Sequence, residues 1–297
     1  MEFPICKEVL RRHPFRLTVV DCGARSADLE EKWSALDERV FIHGFDADEA
    51  ECERLNRQSV NARFYPLCLS STVGDADFHV TRAAHSSSLY PPAKTVTRWK
   101  SGLDGKTAFR TAEYFDVVDV RRVRTTTLSA WADAHGISDI DFIKLDVQGA
   151  ELDVLRGAGP LLGQAVGMEV EVEFVPLYEG QPLFADVDGF ARQQGFCFYD
   201  FLFTHTGHYV GRLHSPVDRF LVKSQTHLSQ LAGQLVTADA LYFRDPIGRD
   251  AMPPEKCLKL VVLSEIYGHV EFAFELLAHL GLTEIYEKAA TRYRLFR

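Results

Sequence analysis

Short apolar stretches that end in an aspartate recur along this chain, and each is followed by residues with helical spacing. Asp21, Asp46 and Asp146 close three such stretches. Strands that alternate with helices predict a mainly parallel sheet with helices on both faces, which is a doubly wound α/β fold. Ligands of such sheets lie beyond the carboxyl ends of the strands, so we expect the three carboxylates to converge on one crevice.

Periodicity assigns most of the remaining secondary structure. Helices are predicted over residues 27–36, after a cap at Asp46 or Asp48, after a cap at Thr127, and ending near Gly195. Strict alternation along one strand puts Glu169, Glu171 and Glu173 on a single face. Besides the three strands that end in aspartate, further strands are predicted at residues 63–69, 117–123, 167–178 and 196–203, with a weaker candidate at 217–224.

The chain divides into two parts by pattern. A polar stretch at residues 101–111 indicates a loop above the sheet. From residue 226 the apolar residues recur at helical spacing. We therefore predict a main ligand-binding domain over residues 1–225 and a helical C-terminal extension over residues 226–297 that packs on it.

Charge and cysteine spacing exclude several classes of protein. The chain of 297 residues has a formal net charge of −9, and its densest basic run, residues 121–124, is too short to neutralise a duplex. We expect no nucleic-acid partner. Six cysteines without a C-x-x-C pair indicate a reducing compartment, so we expect a cytoplasmic protein. Charged residues interrupt the N-terminal segment before a long apolar run develops, so we expect neither a signal peptide nor a membrane span there.

The acidic edge indicates which cofactor fits. The first turn, DCGARSADLE, has one glycine where the dinucleotide fingerprint needs three, and no P-loop is present. This disfavours an NAD-dependent enzyme. S-adenosylmethionine has a ribose for Asp46 to bind, a cationic group for Asp21 or Asp146, and a methionine moiety that the Gly23 turn can approach.

A resemblance rests on motifs in a fixed order. VVDCGAR, FIHGFDAD, LCLSSTVGDADFHVT with SSSLYPP, TTLSAWADAHGISDIDFIKLDVQGAELDVLRGAG, EVEVEFVPLYEGQPLFADVDGF and ADALYFRD span roughly residues 17–245. Together they resemble the FkbM family of S-adenosylmethionine-dependent methyltransferases. The resemblance implies a class I methyltransferase fold, with a seven-stranded sheet whose last strand is antiparallel. It also implies methylation of a hydroxyl on a sugar or natural product, or of a peptide nitrogen as in some relatives.

The resemblance also implies roles for individual residues. Asp46 stands where the family commonly has a glutamate that binds the ribose. Ala27 replaces a later glycine of the cofactor loop, which keeps open a non-catalytic binding module with a methyltransferase-like fold. The cofactor-binding residues carried over are Asp21, Gly23, Ala24, Asp46, Leu69, Ser70, Asp146 and Gln148.

A hydroxyl acceptor requires a group that takes its proton. The candidates are Asp146, a glutamate of the alternating strand such as Glu171, and His85 beside SSSLYPP. Lys144 is expected to pair with a nearby carboxylate. Glu151 suits the first turn of its helix through the macrodipole, and Gly149 meets a backbone requirement.

The sequence indicates neither a metal site nor one particular acceptor or partner. His205, His208 and His214 match no metal template, so we expect loop histidines and no metal site. The acceptor is expected to be a small molecule, a glycan or a peptide. The helical tail is interpreted either as a lid or as the interface of a homodimer.

Overall fold

The computed structural model describes residues 3–24, 33, 36, 38–97, 113–207, 234–248 and 251–293. The strands in these ranges are β1 Leu17–Cys22, β2 Val40–Asp46, β3 Ala62–Pro66, β4 Cys68–Leu69, β5 Gly74–Thr81, β6 Val117–Thr126, β7 Phe142–Leu145, β8 Gly167–Glu173, β9 Phe196–Gly207 and β10 Gln234–Arg244. The helices are α1 Pro4–Arg12, α2 Glu49–Gln58, α3 Lys94–Thr97, α4 Leu128–His135, α5 Glu151–Gly157, α6 Phe184–Gln193, α7 Pro254–Ile266, α8 Val270–His279 and α9 Thr283–Arg292.

Seven strands form the main sheet in the order β3-β2-β1-β7-β8-β10-β9. β3, β2, β1, β7 and β8 pair in parallel, whereas β10 runs antiparallel to both of its neighbours. The prediction of a mainly parallel, seven-stranded sheet with an antiparallel last strand is confirmed. A smaller sheet of order β4-β6-β5 lies beside it.

Helices cover both faces of the main sheet because successive strand residues point to opposite sides. In β1, Leu17 and Val19 belong to a core shared with α1, α7, α8 and α9, whereas Val20 and Cys22 belong to a core shared with α4, α5 and α6. Within the described ranges, no helix is both long enough and apolar enough to cross a bilayer. The six cysteines are free thiols.

Helix capping follows the sequence closely. The Asp48 side chain accepts hydrogen bonds from the amides of Ala50 and Glu51 at the start of α2. The Thr127 side chain accepts from the Ala130 amide at the start of α4. The Thr127 cap was predicted, and Asp48 is one of the two alternatives, Asp46 or Asp48, predicted for α2. A side-chain oxygen at this position satisfies amides that have no partner within the helix.

Residues 234–244 correct one prediction. We expected helix from residue 226 onward, but Gln234–Arg244 forms β10 in the interior of the sheet, and the helices there begin at Pro254. A strand buried on both faces is apolar at nearly every position, so its sequence also satisfies helical spacing. The predicted strand at 63–69 is also divided, into β3 and β4. The predicted loop at 101–111, the strand at 217–224 and most of the helix at 27–36 lie outside the described residues.

The C-terminal helices are joined to the sheet by a buried ionic contact. Asp141, 1% exposed, precedes β7 and accepts the Thr18 amide at 2.8 Å. Its other contacts are with Lys256 Nζ at 2.7 Å and Lys259 Nζ at 3.0 Å, both on α7. Lys259 is itself 5% exposed. Asp141 therefore links two strands and a helix through one side chain.

Asp141→Ala is expected to lower the free energy of unfolding by about 3–5 kcal/mol, because it removes the carboxylate that faces a buried lysine. The matched control is Asp139→Ala, which removes an exposed partner of Lys256 and should cost at most about 1 kcal/mol. Denaturant unfolding measures both values. Similar losses in the two variants would contradict the importance assigned to the buried contact.

Candidate active site

A pocket lies at the carboxyl ends of β1, β2 and β7. Two of the three strand-end aspartates, Asp46 and Asp146, line it, whereas Asp21 does not and lies beside Lys144 in the sheet. The small sheet and the turn that follows β5 close its other side. The lining residues are Cys22, Gly23, Phe45, Asp46, Ala47, Leu67, Cys68, Leu69, Phe78, Ala84, His85, Ser87, Leu89, Asp146, Val147, Gln148 and Ala150.

Gly23 lets two strand ends approach closely. Its φ is +86°, and a Cβ at this position would lie 1.8 Å from the carbonyl oxygen of Asp146. The Asp146 amide donates to Cys22 O at 2.9 Å, and the Gly23 amide donates to Phe45 O at 2.9 Å. These bonds hold the ends of β1, β2 and β7 together, so the pocket floor is backbone that only glycine can form.

Asp46 lines the pocket at the end of β2. Its Oδ1 accepts the Asp48 amide at 2.7 Å, which fixes the carboxylate relative to the first turn of α2. Asp48, the cap of that helix, is not among the lining residues. Two neighbouring aspartates therefore have separate structural roles.

The SSSLYPP segment forms a wall that is fixed to the sheet. Ser88 Oγ donates to Gln148 O at 2.6 Å and accepts the Tyr90 amide at 2.9 Å. Tyr90 donates to Asp153 on α5 at 2.7 Å. Tyr178 OH, fully buried, lies 3.0 Å from Ser86 O. The wall is thus positioned by the hydroxyl groups of buried Ser88 and Tyr178 and of half-buried Tyr90.

Gln148 occupies a strained position in the turn between β7 and α5. Its φ of +58° is unusual for a residue with a side chain. Its Nε2 donates to Asp146 Oδ1 and to Glu171 Oε2, both at 2.7 Å. Its Oε1 lies 2.9 Å from Tyr178 OH. The amide therefore bridges two carboxyl groups and a phenol.

Buried carboxyl groups surround this turn. Burial, followed by the charges of Asp146, Glu173 and Glu151 and by a hydrogen bond with Asp146, raises the pKa of Glu171 well above its usual range. Burial, followed by the charge of Glu151, likewise raises the pKa of Glu173. The environment favours the neutral form of both strand glutamates.

Glu151 has a local structural role. Its Oε1 accepts the amides of Val147 at 2.8 Å and Gly149 at 3.1 Å, so it holds the turn that presents Gln148. Burial is the main cause that raises its pKa to about 7. Gly149 has a φ of +94°, and a Cβ there would lie 3.0 Å from the Tyr178 ring. Glycine is required at this position, as expected.

Lys144 lies among carboxylates, as expected. Burial opposes its charged form, but Asp21, Glu169, Asp146 and Asp239 outweigh this effect and raise its pKa. Asp21 and Glu169 are its neighbours in the adjoining strands. Glu169 also accepts a hydrogen bond from the hydroxyl of Tyr267, the residue that follows α7, at 2.7 Å. A charged row therefore crosses the sheet beneath the C-terminal helices.

The structure places most predicted site residues at the pocket and a few behind it. Gly23, Asp46, Leu69, Asp146, Gln148 and His85 line it. Glu171 adjoins it through Gln148, whereas Asp21, Ala24 and Ser70 are not among the lining residues. His85 is exposed, and its ring lies 5.7 Å from that of Tyr114. Among the described residues, no group of three or more acidic, histidine or cysteine side chains is arranged to bind a metal.

Sequence reasoning missed the buried polar residues that support the pocket. Ser88 and Tyr178 lie in the SSSLYPP and EVEVEFVPLYEGQPLFADVDGF motifs, but nothing in those motifs indicated that their hydroxyl groups contact Gln148. Phe45, Phe78 and Cys68 supply apolar wall. Their positions depend on how the small sheet lies beside the large one, which local patterns do not encode.

Comparison with known proteins identifies the family. The family model of the methyltransferase FkbM domain matches residues 21–198. The chain belongs to the FkbM methyltransferase family. This FkbM protein is 25% identical over 174 residues to the 2-O-methyltransferase NoeI of Sinorhizobium fredii, across 57% of this chain and 69% of that relative. The predicted family and fold class are confirmed, and the chain is a methyltransferase by family.

Solved structures also resemble the FkbM chain at low identity. A TehB-like SAM-dependent methyltransferase from Corynebacterium glutamicum is 11% identical, with a TM-score of 0.31, over 82% of this chain and 88% of that one. The plantazolicin methyltransferase BpumL, in complex with SAH, is 9% identical, with a TM-score of 0.33, over 82% of each chain.

Gly23→Ala is expected to lower the free energy of unfolding by about 2–4 kcal/mol, because the new Cβ overlaps the Asp146 carbonyl and the backbone has a positive φ. Gly136→Ala is the control, since Gly136 has a φ of +67° with open space where the Cβ would lie; it should cost about 1 kcal/mol. Thermal and denaturant unfolding compare the two. Equal costs would show that the contact with Asp146 is not tight.

Proposed function

We propose that this protein transfers a methyl group from S-adenosylmethionine to a hydroxyl group of a sugar or natural product. The observation that carries the proposal is the convergence of the Gly23 turn, Asp46 and Asp146 on one pocket at the sheet's carboxyl edge. Membership of the FkbM family supports the reaction class. The 2-O-methyltransferase name of a distant relative supports oxygen as the acceptor atom.

The pocket fits the chemical parts of S-adenosylmethionine. Phe78, Leu67 and Leu69 provide an apolar wall for an adenine ring. Asp46 provides a carboxylate for the ribose hydroxyls, and the Gly23 backbone is open to a methionine moiety. When bound, the cofactor supplies a methyl group on a positively charged sulfur, a charge that an acidic pocket favours.

The charge around Asp146 indicates the kind of acceptor. The charges of Asp146 and Glu151 help to raise the pKa of both Glu171 and Glu173, after the larger effect of burial, and Lys144 is the nearby cation. An anionic acceptor such as a carboxylate would be repelled by the charge of Asp146. A neutral hydroxyl is not repelled, and it needs a base. We assign that role to Asp146 with Glu171, and His85 across the pocket is a second candidate.

Calorimetric titration with S-adenosylmethionine and S-adenosylhomocysteine tests the cofactor assignment. The wild-type protein is expected to bind both ligands, and Asp46→Ala should weaken binding by about 10–100-fold, because a charge-assisted hydrogen bond contributes about 1.5–3 kcal/mol. Methyl uptake by sugar, natural-product and peptide acceptors then identifies the acceptor atom.

Asp48→Ala is the matched control. It removes a carboxylate two residues away that caps α2 and does not line the pocket. It should cost about 1 kcal/mol of stability and leave both affinities unchanged. Folded wild-type protein that binds neither ligand would refute the methyltransferase proposal and favour a non-catalytic module. Methyl uptake on a peptide nitrogen alone would refute the hydroxyl assignment.

A further inference from the structure

Two carboxyl groups beside the pocket share one hydrogen-bond donor. Asp146 Oδ1 and Glu171 Oε2 each lie 2.7 Å from Nε2 of Gln148. Asp146 lines the pocket, and Glu171 lies behind it on β8. Burial, followed by the charge of Asp146, favours the neutral form of Glu171. The pair can therefore accept a proton as one unit.

The Gln148 amide is itself held from three directions. Its backbone is in the left-handed region at φ +58°, and its carbonyl accepts Ser88 Oγ at 2.6 Å. Tyr178 OH lies 2.9 Å from Oε1, which directs Nε2 toward the carboxyl pair. Backbone strain of this kind persists only where the surrounding contacts enforce it. The amide is thus fixed in the orientation that presents both N–H groups to the pair.

We propose that Gln148 is a positioning residue that holds Asp146 and Glu171 together as a single base for the acceptor hydroxyl, and that Tyr178 fixes the orientation of its amide. This inference rests on the proposed methyl transfer. As the acceptor oxygen bonds to the methyl carbon, the bond from that carbon to sulfur breaks and its electron pair goes to sulfur. The hydroxyl proton passes to the Asp146 carboxylate, which becomes neutral as the sulfur loses its positive charge, and Gln148 keeps its contacts with both Asp146 and Glu171.

Other titratable groups face the pair from several elements. Their charges enter the same equilibrium, so Gln148→Met leaves all of them in place, and Tyr178→Phe removes the Tyr178 hydroxyl alone. They are Lys144 on β7, Glu151 on α5, Glu173 on β8, Tyr178 after β8, and, through Lys144, Asp21 on β1, Glu169 on β8 and Asp239 on β10.

The N–H groups of Gln148 determine whether its removal raises or lowers the titration midpoint of Glu171. An N–H that donates to a carboxylate favours its ionised form, so Gln148 lowers the pH at which the pair loses its proton. Gln148→Met keeps the length of the side chain and removes both N–H groups. Tyr178 then retains Ser86 O as an acceptor at 3.0 Å. Tyr178→Phe removes only the hydroxyl that orients the amide.

The experiment is a pH titration by NMR of protein labelled with 13C at the glutamate carboxyl carbon, with the Glu171 signal assigned by its loss in Glu171→Gln. The Glu171 midpoint is expected to rise by about one pH unit in Gln148→Met and by less in Tyr178→Phe. Circular dichroism establishes that each variant is folded. If Gln148→Met does not fold, Tyr178→Phe carries the test.

Tyr90→Phe is the matched control. It removes the half-buried hydroxyl that joins the same wall to Asp153 and makes no contact with Asp146 or Glu171, so the Glu171 midpoint in this variant should equal the wild-type value. Unchanged midpoints in both test variants, or an equal shift in Tyr90→Phe, would overturn the inference. Binding of S-adenosylhomocysteine is measured on the same samples. If wild-type protein does not bind S-adenosylhomocysteine, the proposed function is refuted, whatever the titration shows.

Discussion

The close approach of β1 and β7 at their carboxyl ends determines the geometry of the pocket. Cys22 O accepts the Asp146 amide, and Gly23 turns so that its missing side chain leaves room for the Asp146 carbonyl. Phe45 O accepts the amides of both Gly23 and Ala24, which brings β2 into the same network. Three strand ends are therefore fixed by backbone contacts, and Asp46 and Asp146 reach one pocket without depending on side-chain packing.

Much of this arrangement was predictable from local patterns. Aspartates at strand ends, a single glycine in the first turn and the caps at Asp48 and Thr127 each carry their own physical signal. β10 was not predicted, because a strand covered on both faces has no alternation to distinguish it from a helix. The links through Ser88 and Tyr178 were also missed. They join residues that lie 60 and 30 positions from Gln148, and no short motif encodes such contacts.

The glutamates of β8 show how a buried strand can carry charge. Glu169, Glu171 and Glu173 would each destabilise an apolar interior. Glu169 faces Lys144 and accepts the Tyr267 hydroxyl, so its charge is offset at the junction with the C-terminal helices. Glu171 and Glu173 lie nearer the pocket, where burial favours their neutral forms. One strand thus combines an ionic structural contact with proton-binding groups.

The position of β10 has a consequence for how the chain can be divided. Within the described residues, β9 pairs with β10 and with no other strand, and residues 208–233 separate the two in the sequence. During synthesis, β8 is therefore the outer edge strand of the sheet until Arg244 has left the ribosome. Until then, β9 lacks β10, the strand with which it pairs. Pairing across such a separation is slow and exposes strand edges in the meantime. Because β10 is the last strand in the sequence, the shortest N-terminal fragment that contains the whole main sheet extends through residue 244.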